Sequence, residues 1–210
     1  MTNVEDMPMK LYYSPGACSL SPHIVLIEAA LPYTLEKVDL AAKKTDKGVD
    51  YLTINSKGGV PALELDDGKV LTEGPAVIQY LADRNPDSGL APRAGTFERY
   101  QLMEMLNYIT SEVHKGFGPL FDKQASAEMK AAAKTALGKK FDWLTSYLKG
   151  KSFLLGTNFT VADAYFFTVL NWPAKVGIDL SKWPALAAYH AHIGQRPKVQ
   201  QALQEEGLLK

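Results

Sequence analysis

The stretch MKLYYSPGACSLSPHIVLIEA, Met9–Ala29, decides the fold. Its opening, Lys10–Tyr13, is rich in tyrosine and predicts a strand. Ser14-Pro15-Gly16-Ala17-Cys18-Ser19 reads as a turn. Ser21-Pro22 then supplies a helix start, with proline in the first turn, and His23–Leu31 continues it. Tyr33–Leu40 gives a second strand whose alternation slips once near Lys37.

Working outward, Pro61–Leu65 and Lys69–Leu71 flank Asp66-Asp67-Gly68. That is a hairpin signal, because Asp-Gly tolerates the positive φ such turns need. Gly74-Pro75 opens a helix through about Arg84. The order β-α-β, hairpin, α predicts a small sheet with helices against it. Asn85–Gly95 (NPDSGLAPRAG) is the one stretch dense in Pro, Gly and Asp, and marks a domain boundary. Beyond it the strand signals stop. Leu102, Leu106, Ile109 and Val113 form one ridge of a long helix, and Leu137, Phe141, Leu144 and Leu148 repeat the spacing in a helix that Gly150 can end. Thr160-Val161-Ala162-Asp163 predicts a capping box, which also explains the glycosylation-like Asn158-Phe159-Thr160. Pro184 and Pro197 each start a further short helix. The expected division is a disordered extension at 1–8, an α/β domain at 9–86, a linker at 87–95 and an all-α domain at 96–210.

Of the 210 residues 46% are hydrophobic and 22% charged, as in ordinary globular proteins. Lys plus Arg and Asp plus Glu balance at 23 each, which argues against a nucleic-acid partner. No apolar run reaches the roughly 18 residues a bilayer span needs. The leading MTNVEDMP carries acids where a signal peptide carries bases. A single cysteine forms no internal disulfide, so a reducing, cytoplasmic setting is expected.

That lone thiol draws attention. At a helix N-terminus, Cys18 sees the positive end of the dipole and free N–H groups, which favour thiolate. The plainer reading is a small buried hydrophobe. Cys18-Ser19-Leu20-Ser21 adds the Cys-x-x-Ser spacing of one-cysteine redox sites, able to hold a mixed disulfide without resolving it internally. Asn107 and His114, seven apart on the expected long helix, would share one face about 10 Å from end to end. His190 and His192, two apart on a helix, would point in different directions and make a poor metal pair. No partner for His23 is evident, and Tyr12 reads as core.

MKLYYSPGACSLSPHIVLIEA, VDLAAKKT, GGVPALELDDG, LTEGPAVIQYLAD, ERYQLMEMLNYITSEVHKGFGPLF, FTVADAYFFTVL and RPKVQQALQEEGL follow one another in order. Together they closely resemble the beta-class bacterial glutathione transferases, over essentially everything after Pro8. The resemblance implies a thioredoxin-like α/β first domain, an all-α second domain, and glutathione as co-substrate in the cleft between them. Cys18 and His114 become the catalytic candidates. Val60-Pro61 matches the family's cis-proline segment, whose first residue pairs its backbone with the cysteinyl part of the ligand. Glu73 and Gly74 match a pair that holds the γ-glutamyl ammonium and carboxylate, and Lys43 a lysine meeting the other carboxylate. Asn107, Lys115, Tyr13 and Ala17 complete the implied glutathione site. Read alone, Glu73 is a first-turn acid, Lys43 a loop lysine and Pro61 a strand-start proline.

The implied reaction joins glutathione thiolate to a small apolar electrophile, with thiol–disulfide exchange through Cys18. The implied protein is a homodimer without metal. Two other readings stand beside it: a dedicated glutathione-dependent thiol transferase or reductive dehalogenase, and a noncatalytic carrier of glutathione and apolar ligands. The chain departs from the common pattern at Ile27, where arginine is frequent, at Ala30, where glycine is, and at Met105, where tryptophan is.

Overall fold

The computed structural model describes residues 8–209, so the extension expected at 1–8 lies almost wholly outside the described residues. The chain forms two compact units, one of residues through Ala91 together with the segment from Arg196, the other Pro92–Gln195.

In the first unit, β1 (Met9–Tyr13), β2 (Tyr33–Asp39), β3 (Lys44–Thr45), β4 (Ala62–Glu64) and β5 (Val70–Thr72) make one sheet in the order β3-β2-β1-β4-β5. β1 runs parallel to β2, through the helix α1 (Leu20–Glu28), and antiparallel to β4. Parallel neighbours need such a crossover, whereas β4 and β5 need only the Asp66–Gly68 turn, where Gly68 has φ 79°. β3 is an addition to the expected elements. The slip in β2 also has a cause: Glu36 lies buried beside Val38 and pairs with Lys47 at 2.9 Å.

Every residue of α1 from Leu20 to Ile27 is buried, so the helix has no solvent face. Each of its large apolar side chains contributes roughly 1.5–3 kcal/mol by leaving water. Covering it takes β1, α2 (Gly74–Arg84) and a helix from the far end of the chain, α8 (Pro197–Glu205 in chain order). Here the expected division is corrected: residues from Arg196 belong to the first unit and not to a 96–210 domain. Val199, Ala202 and Leu203 form the buried stripe of that last helix, and Arg196 reaches Glu28 at 2.8 Å. The expected 87–95 linker is also partly structure, since Leu90 is buried within the first unit.

α1 stops short of Leu31. Ala30 takes φ 52°, and the bonds Ala30 N to Ile27 O (3.1 Å) and Leu31 N to Leu26 O (3.0 Å) close a Schellman motif. The glycine frequent at this position would adopt that φ without strain.

The second unit is helical. α3 (Phe97–Tyr108), capped by Thr96, widens into a π turn over Ile109–His114 before a short 3₁₀ segment and α4 (Gly118–Phe121). α5 (Ala127–Tyr147) and α6 (Val161–Leu170) come next, then α7 (Pro184–Gly194), which precedes α8. Both expected ridges are buried, from Leu102 to Val113 and from Leu137 to Leu148. α6 carries the expected capping box and is buried throughout. Among the described residues, no helix is long and apolar enough to cross a membrane.

Candidate functional site

The turn between β1 and α1 is held from several sides. Ser19 Oγ accepts from Ser14 N (3.1 Å) and donates to Ser14 O (3.2 Å). Ala17 N donates to Ser14 O at 3.0 Å, and Gly16, with φ 67°, donates its N–H to Glu206 Oε2 at 2.8 Å. The same Glu206 reaches His23 Nδ1 at 3.1 Å, while Glu205 meets His23 Nε2 at 2.9 Å. His23 therefore has two carboxylate partners that the sequence did not reveal.

Cys18 is half-buried, and its thiol donates to the carbonyl of Val60 at 2.9 Å. The Val60-Pro61 peptide is cis. Burial pushes the thiol up to about 11, with the charge of Glu73 adding to it. The N–H groups of Cys18 and Ser19 pull the other way and lose. The expectation that the helix end favours thiolate is thus reversed: desolvation outweighs the helix-end donors, and the group is a neutral S–H donor. Ser21 turns its hydroxyl to Cys18 O at 2.9 Å, satisfying main chain and not sulfur.

Around that thiol the loop before β4 is pinned. Tyr51 Oη and Asn55 Nδ2 both donate to Gly59 O, at 2.8 and 2.7 Å. Lys43 Nζ donates to Gly58 O at 2.8 Å. Glu73, ahead of α2, is exposed and holds φ 69°, an uncommon region for a non-glycine residue. Its carboxylate sits at the N-cap of α2 but makes no capping bond, and accepts from Lys57 Nζ at 2.5 Å. Gly74, half-buried, opens α2. Tyr13 is half-buried 6.4 Å from the His23 ring. Burial first, then the charges of Glu206, Asp46 and Glu205, raise its phenol pKa, so it stays a hydroxyl. Tyr12 is core, donating to Glu64 at 2.6 Å.

In the second unit, His114 closes the π turn. Its Nδ1 lies 2.6 Å from Tyr165 Oη, and its ring meets Trp172 edge-on at 4.8 Å. Burial, and secondarily Lys115, lowers its pKa to about 4, so the imidazole is neutral at pH 7. Asn107 and Lys115 are exposed. The expected shared face for Asn107 and His114 presumed an unbroken α-helix. The π turn adds a residue to the winding and rotates the residues beyond it by about 100° from α-helical phase. Gly116 lies just past this turn, where a Cβ would come within 2.8 Å of Leu137. His190 bonds Asn171 Oδ1 at 2.9 Å, whereas His192 packs on Phe153.

A thiol on the first β-to-α turn, bonded to the residue ahead of a cis-proline on a mixed sheet, defines a thioredoxin-like unit; with it goes a helical second domain. Residues 16–84 match the family model described as glutathione S-transferase, N-terminal domain, and residues 108–197 the corresponding C-terminal domain. The chain belongs to the glutathione S-transferase family. It is 47% identical to glutathione S-transferase GstA of Escherichia coli O157:H7, over 95% of this chain and all of that one. Similar solved structures include two bacterial ones. One is a bacterial beta-class transferase of Sphingomonas chungbukensis (51% identity, TM-score 0.93), the other a sphingomonad transferase complexed with glutathione (50%, TM-score 0.92). In both, the match covers 95% of this chain and 100% of the other.

Proposed function

We propose that this glutathione transferase is of the bacterial beta class, joining glutathione thiolate to small apolar electrophiles and exchanging disulfides through Cys18. The observation that carries the reading is the Cys18 thiol donating to the carbonyl ahead of cis-Pro61. The Val60 backbone pairs with the cysteinyl part of the tripeptide. Glu73 takes the γ-glutamyl ammonium, exchanging it for Lys57, while the α2 start at Gly74 takes the adjoining carboxylate. Lys43 meets the glycyl carboxylate. Tyr13, Ala17, Asn107 and Lys115 line the remainder, and His114 acts on the sulfur. The working form is a cytoplasmic homodimer.

An ordinary thiol with pKa near 8.5 is mostly protonated at neutral pH, and lowering it by two units takes about 2.7 kcal/mol. Donors in a partly dry site supply this. A neutral Cys18 removes the difficulty of two adjacent thiolates, because its S–H can itself donate to the glutathione sulfur. His114, neutral, adds an N–H donor.

In the redox reaction Cys18 first loses its proton to solvent, and the thiolate attacks the glutathione sulfur of a mixed disulfide. The S–S bond breaks, and the departing thiolate takes a proton from solvent. A second glutathione thiolate then attacks the glutathione sulfur of the Cys18–glutathione disulfide, releasing oxidised glutathione, and the departing Cys18 thiolate takes up a proton from solvent.

Cys18→Ala should abolish reduction of a glutathione mixed disulfide while leaving chloronitrobenzene conjugation within about ten-fold, since one neutral donor is lost. Intact mass before and after reductant should show one removable glutathione adduct, on Cys18. Full disulfide-reductase activity in Cys18→Ala would defeat the assignment.

A further inference from the structure

We propose that Tyr165 is a positioning residue for His114: its hydroxyl donates to Nδ1 and keeps the proton of the neutral ring on Nε2, which is the nitrogen that serves the glutathione sulfur. The inference rests on the role given to His114 above.

Tyr165 sits in the middle of α6, a helix buried from Val161 to Leu170, and is itself 1% exposed. Its hydroxyl therefore cannot swing to water, and at 2.6 Å from Nδ1 it makes a short, directed bond. The imidazole cannot easily turn away either. The rings of Tyr165 and Trp172 stand edge-on to it at 72° and 71°, and Trp172 is buried. Four bonds to the Asp163 carboxyl, from Leu154 N, Thr160 N, Thr160 Oγ1 and Tyr189 Oη, fix the start of the helix that carries the phenol.

The two neutral tautomers differ in what they offer an anion. With the proton on Nδ1, the phenol accepts and Nε2 turns a lone pair outward, which repels a thiolate. With the proton on Nε2, the phenol donates and the ring presents an N–H. No protein group takes Nε2 among the described residues, whereas Nδ1 is held. A hydroxyl that donates inward thus sets the polarity of the outward edge.

Ring ¹⁵N NMR of the full chain labelled in its four histidines, with His114 assigned from the His114→Gln spectrum, reads the tautomer directly. The expected result is a protonated Nε2 and a bare Nδ1 for His114, with both tautomers populated in Tyr165→Phe. That variant should lower kcat for conjugation about ten-fold, the worth of one hydrogen bond, with KM for glutathione within two-fold. A native His114 protonated on Nδ1, or an unchanged kcat in Tyr165→Phe when His114→Gln is impaired, overturns the proposal. If His114→Gln is itself fully active, the role given to His114 fails, and the native spectrum still decides the tautomer. Should Tyr165→Phe not fold, the native spectrum decides alone.

Discussion

Glu206 and His23 in the first unit, and Asp163 and His114 in the second, are drawn partly or wholly out of solvent, and the two pairs are used oppositely. In the first, the pair is a partnership: Glu206 bonds His23, and its second oxygen holds Gly16. In the second, the two groups are kept apart. Asp163 collects four donors from main chain and hydroxyls, and His114 sits among a phenol and an indole, with no carboxylate bonded to it among the described residues. Paired, an imidazole serves as a clasp between distant segments. Without a carboxylate partner and desolvated, it is held neutral at pH 7.

The contrast should break hardest at Asp163. Its replacement by alanine strands two N–H groups and two hydroxyls in a fully buried place at the head of α6. Each stranded donor costs roughly 1–3 kcal/mol, though relaxation recovers part, so Asp163→Ala should lose about 3–5 kcal/mol. Urea unfolding would show this as a lower midpoint at unchanged slope. A loss below about 1 kcal/mol would mean that water or rearrangement satisfies the donors, and that the carboxyl is no anchor.

His114 sharpens the comparison through pH. The folded imidazole takes its proton only near 4, the unfolded one near its ordinary 6.5. Between those values the unfolded chain binds more protons, so acidification from 6.5 to 4 favours unfolding, and the contribution is fully present only above 6.5. The gap corresponds to about 3 kcal/mol, less what solvent reaching a half-buried ring screens. Stability profiles of the native chain and His114→Gln should converge as pH falls through this window. Parallel profiles would show the ring to be well solvated.

How much of this the sequence showed depended on range. The Met9–Ala29 stretch, the Asp66–Gly68 hairpin and the Thr160–Asp163 box were legible because each interaction closes within a few residues. Cys18 and Pro61 were legible as local patterns, and their meaning came from the resemblance. β3 was not, since two residues carry no period. The π turn was hidden because Ile109 and Val113 stay buried through it, so the apolar spacing gives no sign of the extra residue. α5 begins ten residues before the Leu137 ridge because its opening turns are rich in Ala, Lys and Glu and lack a buried stripe. The placement of α8 stemmed from α1 having no polar face, a clue present in Leu20–Ile27 that named no partner. Tyr165 and Glu206 carried no signal, standing 51 residues from His114 and 190 from Gly16.

The smallest effect belongs to the clasp. In Glu206→Gln the amide oxygen can accept from Gly16 N–H while the amide nitrogen donates to His23 Nδ1, provided the imidazole gives its own proton to Glu205. Every native buried group keeps a partner, the second amide N–H of the glutamine is the one new donor, and what disappears is charge assistance at two bonds. The expected loss is about 1–2 kcal/mol, with the Gly16 amide remaining protected in native-state hydrogen exchange. A loss matching that of Asp163→Ala would show that ionic attraction, and not the shape of the acceptor, ties the tail to the thiol-bearing turn. The two carboxyls would then differ in degree and no longer in kind.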